Sequence, residues 1–70
     1  MKNFYKIDFY TMSDGTAYVY VYAETSKDAI ELAKKNSNFC QLMNYRMVSE
    51  NEVIHYHGTQ NANNIKNKYS

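Results

Sequence analysis

Phe4-Tyr5-Lys6-Ile7-Asp8-Phe9-Tyr10-Thr11-Met12-Ser13-Asp14-Gly15-Thr16-Ala17-Tyr18-Val19-Tyr20-Val21-Tyr22-Ala23 decides the fold. From Ala17 to Ala23 every second residue is a tyrosine, and the residues between are small or aliphatic. That period of two is the mark of a strand with two unlike faces. The Asp14-Gly15 pair signals a turn and allows two hairpin geometries. A two-residue loop pairs Ser13 with Thr16 and mixes Lys6 and Asp8 with the valines. A three-residue loop with Gly15 in the left-handed conformation pairs Met12 with Thr16, Phe9 with Val19, Ile7 with Val21 and Tyr5 with Ala23. The second choice segregates the faces, because directly opposed residues share one. Tyr5, Ile7, Phe9, Val19 and Val21 then lie together, and Lys6, Asp8, Tyr10, Tyr18, Tyr20 and Tyr22 lie on the reverse.

Working outward, the period changes after Ala23. Thr25 is placed to N-cap a helix with Asp28 three residues on. Ala29, Ile30, Leu32 and Ala33 supply its apolar stripe, and Lys34 and Lys35 sit at its negative end. Asn36-Ser37-Asn38 ends it, with an asparagine expected in the left-handed cap. Phe39 to Met43 reads either as a loop whose Phe39 and Leu42 plug the sheet edge or as an irregular helical turn. Tyr45–Val48 and Glu52–His57 read as a second hairpin turning at Glu50-Asn51. Gly58 to Ser70 is polar and asparagine-rich, and is expected to be a mobile tail.

These segments predict an α+β fold: a two-layer β-β-α-β-β arrangement, an antiparallel sheet with one helix packed on one face. Residues 1–57 form the single domain and 58–70 the tail. The expected core is Tyr5, Ile7, Phe9, Val19, Val21, Ile30, Leu32, Ala33, Met47, Ile54 and Tyr56.

Seventy residues allow one domain, and a chain this short buries only about 60% of its unfolded surface. Eight Lys plus Arg stand against seven Asp plus Glu, too even a balance for a general polyanion binder. The lone Cys40 excludes an internal disulfide and fits a reducing compartment. No apolar run reaches membrane-spanning length and no signal peptide is visible, so a cytoplasmic protein without membrane partners is expected.

The chemistry-bearing patterns are few. No Gly-rich phosphate loop, nucleophile elbow or paired-Cys motif is present. No catalytic residue, cofactor or enzymatic activity is therefore expected. Cys40 with His55 or His57 would be the one thiolate–imidazole pair, but a lone cysteine after a helix is more often a small buried apolar residue. His55 and His57, two apart on the expected strand, point the same way and could share a zinc, but further ligands such as Cys40 or Asp8 would have to come from elsewhere in the fold and no metal is expected.

The tyrosine face is the working surface. Tyrosine's strand propensity alone accounts for part of it. Four rings together, however, form a patch of the size that marks interaction sites, and Tyr and Arg are enriched at binding hot spots. Tyr10, Tyr18, Tyr20, Tyr22, Lys6 and Arg46 are the candidate protein-binding residues. Their partner would be another protein or a second copy of the chain, giving a homodimer. The alternative is a single-stranded nucleic-acid binder that stacks bases on the same tyrosines, although basic residues on that face are few.

In size and in its strand–strand–capped-helix order from Phe4 to Lys35, the chain resembles the small phage-encoded inhibitors of bacterial defence, the anti-CRISPR proteins. The resemblance implies a cytoplasmic protein of the infected host cell. It also implies steric blocking of a host nuclease complex as the mechanism.

Overall fold

A computed structural model of the chain describes residues 1–68. Strand β1 (Asn3–Thr11) and strand β2 (Thr16–Ala23) form the expected hairpin, followed by helix α1 (Ser26–Asn36). Strand β3 (Phe39–Val48), helix α2 (Glu50–His57) and helix α3 (Thr59–Lys68) complete the chain. The sheet is antiparallel with order β2-β1-β3. The fold is α+β, but the described residues form three strands and three helices where one helix and four strands were expected.

The hairpin keeps the expected faces while slipping by two residues. Ile7 pairs with Val19 and Phe9 with Ala17, where Val21 and Val19 were expected. A slip of two leaves every side chain on its own face. The cause is Thr11. Its amide donates to the Gly15 carbonyl at 2.6 Å and its Oγ1 accepts from the Asp14 amide at 2.7 Å. The loop therefore closes on Thr11 and Gly15 rather than on Met12 and Thr16. Gly15 takes the expected positive φ, at +84°, which most side chains would disfavour.

One side of the sheet packs on α1. Tyr5, Ile7, Phe9, Val21 and Ala23 are buried there with Ala29 and Ala33, as the alternation predicted. Thr25 Oγ1 accepts from the Asp28 amide at 3.1 Å and caps the helix. At the other end the expected left-handed asparagine is not used. Ser37 is extended, and no described residue other than glycine has positive φ. The side chains of Asn36 and Ser37 instead donate back to the carbonyls of Leu32 and Ala33, one turn earlier.

Residues 39–43 are strand, neither loop nor helical turn. Phe39 stacks on Phe9, with ring centroids 5.3 Å apart, and it and Leu42 pack on the α1-side core. The β1–β3 register shifts at Met43 and at Cys40, each standing as an extra residue at a bulge. Cys40 is exposed rather than buried.

The expected strand Tyr45–Val48 forms the end of β3, but its expected hairpin partner, Glu52–His57, lies in α2 instead. Ser49 Oγ accepts from the Glu52 amide at 3.1 Å, and Gly58, at φ +89°, donates its N–H to the Ile54 carbonyl. The segment is thus capped at both ends. Residues 58–70, expected as a tail, carry α3, whose fully buried Ala62 and part-buried Ile65 lie three residues apart on one side. The last two residues of that expected tail, 69 and 70, lie outside the described residues.

Both extra helices cover the reverse of the sheet, where Phe4, Tyr20, Val48, Val53 and Ala62 form a second core. Ile65 packs against both cores, which places α3 along the β2 edge. The expected core loses two members: Met47 is 58% exposed and Tyr56 64% exposed.

Candidate protein-binding face

The strand register arranges the reverse face in rows across β2, β1 and β3. Tyr22, Phe4 and Val48 form the first, and Tyr20, Lys6 and Arg46 the second. Tyr18, Asp8 and Asn44 form the third, followed by Thr16, Tyr10 and Gln41. Helices α2 and α3 divide these rows into a covered half and an open half.

In the covered half, the rings of Phe4 and Tyr22 lie 4.9 Å apart. Lys66 Nζ sits about 6 Å above both and pairs with Glu50 Oε1 at 2.7 Å. Glu50 holds the Lys66 ammonium above its ordinary pKa. Tyr22 thus packs at the end remote from the open rows.

The second row is the boundary. Tyr20 is only 3% exposed, and its hydroxyl donates to Glu52 Oε2 at 3.1 Å. Arg46 grips the same carboxylate with both arms, Nη1 to Oε1 at 3.1 Å and Nη2 to Oε2 at 2.8 Å. That paired geometry is the strong form of a charged hydrogen bond, and it fixes Arg46's guanidinium while half its side chain stays in water. Arg46's grip holds the Glu52 carboxyl below the usual carboxylate range, helped by the Tyr20 hydroxyl. Because the folded value is depressed, the stability this gives is present above the ordinary glutamate pKa. It is lost as pH falls through the lowered folded value. Urea midpoints measured from neutral to acid pH are expected to fall in that window, and Glu52→Gln is expected to flatten the slope. An equal slope in both proteins would disprove the assignment.

The open rows carry the accessible rings. Tyr18 is 44% and Tyr10 46% exposed, and Tyr56 of α2 lies beside Tyr18. Lys6 Nζ lies 4.6 Å above the Tyr18 ring and 4.0 Å from Asp8 Oδ1. The Tyr18 hydroxyl is hydrogen-bonded to His57 Nε2 at 3.2 Å. Lys6, Tyr18, Tyr20, Arg46, Glu52 and Tyr56 line a shallow cleft of about 220 Å³.

Of the six residues singled out in the sequence, Lys6, Tyr18, Tyr20 and Arg46 are contiguous. Tyr10 extends the open end and Tyr22 is removed to the covered end. Glu52 and Tyr56 were missed as members of the face, because their segment reads as a strand. The signal for them was Ser49-Glu50-Asn51-Glu52, a capping-box spacing. The same change of element separates the two histidines. Two residues apart on a helix they diverge: His57 turns to Tyr18, and His55 meets the Tyr56 ring at 4.8 Å. Among the described residues no three His, Cys, Asp or Glu gather as metal ligands, and no helix is long and apolar enough to cross a membrane. No family model, curated protein or solved structure matches the chain.

Proposed function

We propose that the chain is a small non-enzymatic protein-binding module, a phage or mobile-element inhibitor of the anti-CRISPR kind, acting in the host cytoplasm by steric blocking. The observation that carries this reading is the open half of the reverse face. Tyr18 and Tyr56 stand exposed around an arginine already fixed by Glu52 and a lysine resting on an aromatic ring, and exposed Tyr10 extends the open end. Rigid aromatic anchors bordered by oriented charge are the elements of a protein contact. Little entropy is lost on binding when such side chains are held beforehand. Base stacking is less well served, since Tyr20 is buried and Tyr22 lies under Lys66. Two of the four platforms are thereby withdrawn.

The test is plasmid interference in cells carrying a nuclease-based defence. Expression of the chain is expected to let a targeted plasmid survive, and Tyr10→Ala/Tyr18→Ala is expected to remove that protection while keeping the fold. Equal protection by the double variant, or none from the parent, would refute the reading. Retention of single-stranded oligonucleotides that is lost with salt and with Tyr18→Ala would establish the alternative.

A further inference from the structure

Independently of that face, we infer that β3 is a self-pairing edge, and that two copies of the chain join through it into one continuous antiparallel sheet. The sheet has two edges, β2 and β3. The β2 edge is flanked by α3. Along β3, the five consecutive residues Met43 to Met47 are all exposed.

Backbone geometry shows which groups face outward. Thr11's amide bonds to Gly15 across the hairpin, so odd-numbered β1 residues direct their N–H and C=O at β2. Phe4, Lys6 and Asp8 therefore direct theirs at β3, opposite Val48, Arg46 and Asn44. By alternation, Tyr45 and Met47 present theirs to the outer side. This run carries one charge, Arg46, with no Pro or Lys, so it lacks the usual protection of an exposed edge. Only the bulge at Met43 interrupts it.

The occupant follows from the sequence of the edge itself. A two-fold pair must set one residue opposite its own copy. Centring on Arg46 places like charges face to face, which is destabilising. Centring on Met47 runs the ladder past Val48, where the strand ends. Centring on Asn44 sets Met47 against Gln41 and carries the ladder across the bulge. Centring on Tyr45 sets its ring against its copy, Met43 against Met47 and Asn44 against Arg46. That register pairs every outward residue of the run with an apolar one and leaves the single charge opposite a neutral amide. Tyr45 and Met47 lie on the α1 side of the sheet, opposite Ile7 and Tyr5. Pairing therefore extends the α1-side core across the two-fold axis. It also joins each copy's Lys6–Arg46 row on the reverse face to the other copy's Asn44–Asp8 row.

Sedimentation under reducing conditions, from about 1 µM to about 1 mM, spans the affinities expected of a small interface. The mass is expected to double across this range, and Tyr45→Lys and Met47→Lys are each expected to leave a monomer with an unchanged circular dichroism spectrum. Should either variant fail to fold, cysteine cross-linking in a Cys40→Ser background decides. Tyr45→Cys is expected to form an intermolecular disulfide under a mild oxidant, since opposed residues lie about 5.5 Å apart. Met47→Cys is not, because the two copies of that position lie more than about 10 Å apart along the ladder. A parent chain that stays monomeric, a dimer indifferent to both lysines, or cross-linking at Arg46→Cys or Met47→Cys instead would overturn the inference.

Discussion

Deleting residues 59–70 is expected to destabilise the whole chain rather than trim it. In sequence this stretch is the most polar of the protein, and a mobile tail would be dispensable. In the structure Ala62 is fully buried, Ile65 touches both cores, and Lys66 lies over Phe4 and Tyr22 while pairing with Glu50. The ordering cost of α3 is met mainly by its own backbone ladder and these contacts. What the remaining chain loses is cover over Phe4, Tyr20 and Tyr22. Fully burying a large apolar side chain is worth about 1.5–3 kcal/mol, so part-uncovering three of them costs about 3–5 kcal/mol. A domain of this length holds only about 4–10 kcal/mol in total. Residues 1–58 alone are therefore expected to show a collapsed urea midpoint and to bind a hydrophobic dye. A fragment with the parent's midpoint would show that α3 contributes nothing.

The chain was legible to Asn36 and again over the strand Tyr45–Val48, but not after it, for a physical reason. From Phe4 to Asn36 each local signal agrees with its neighbours. The alternation, the Asp14-Gly15 turn and the Thr25 cap point to one arrangement, and the faces came out as expected. After Val48 two signals compete. Val53-Ile54-His55-Tyr56-His57 is β-branched and aromatic, which suits a strand. Ser49 with Glu52, and Gly58 after His57, delimit a helix. The caps prevail because the reverse face needs cover. A tyrosine as buried as Tyr20 requires a partner for its hydroxyl, and a helix that begins at Ser49 brings Glu52 to it. In α3 the apolar signal is only Ala62 and Ile65 among asparagines, too sparse to register as a stripe, yet a small residue is what close approach to a sheet requires. The candidate face was half legible for the same reason. Alternation places the tyrosines on the reverse side but does not say how much of that side the rest of the chain covers.

That division makes Tyr18 and Tyr20, two residues apart on one face, expected to behave as opposites. Tyr20→Ala removes a buried ring from beneath α2 and should cost about 3–5 kcal/mol, the usual loss for a large aromatic. Tyr18→Ala, at a half-wet position, should cost well under that, in the range of about 1 kcal/mol typical of ordinary substitutions. Tyr20→Phe isolates the hydroxyl. It removes one hydrogen bond to Glu52, about 0.5–1.5 kcal/mol, while Arg46 still satisfies the carboxylate. The same variant reads out a pH effect. Burial pushes the Tyr20 hydroxyl up to about 12, and the Glu52 carboxylate that accepts its proton adds to the rise. The folded value lies above the unfolded one of about 10, so the folded state holds the proton more tightly. Its contribution is complete below pH about 10 and disappears as pH climbs through about 12. Urea midpoints of the parent minus those of Tyr20→Phe are expected to be constant up to that window and to fall within it. If the difference stays flat to pH about 12, or if Tyr18→Ala proves the more damaging of the two alanines, then Tyr20 is not the ring that closes the reverse face.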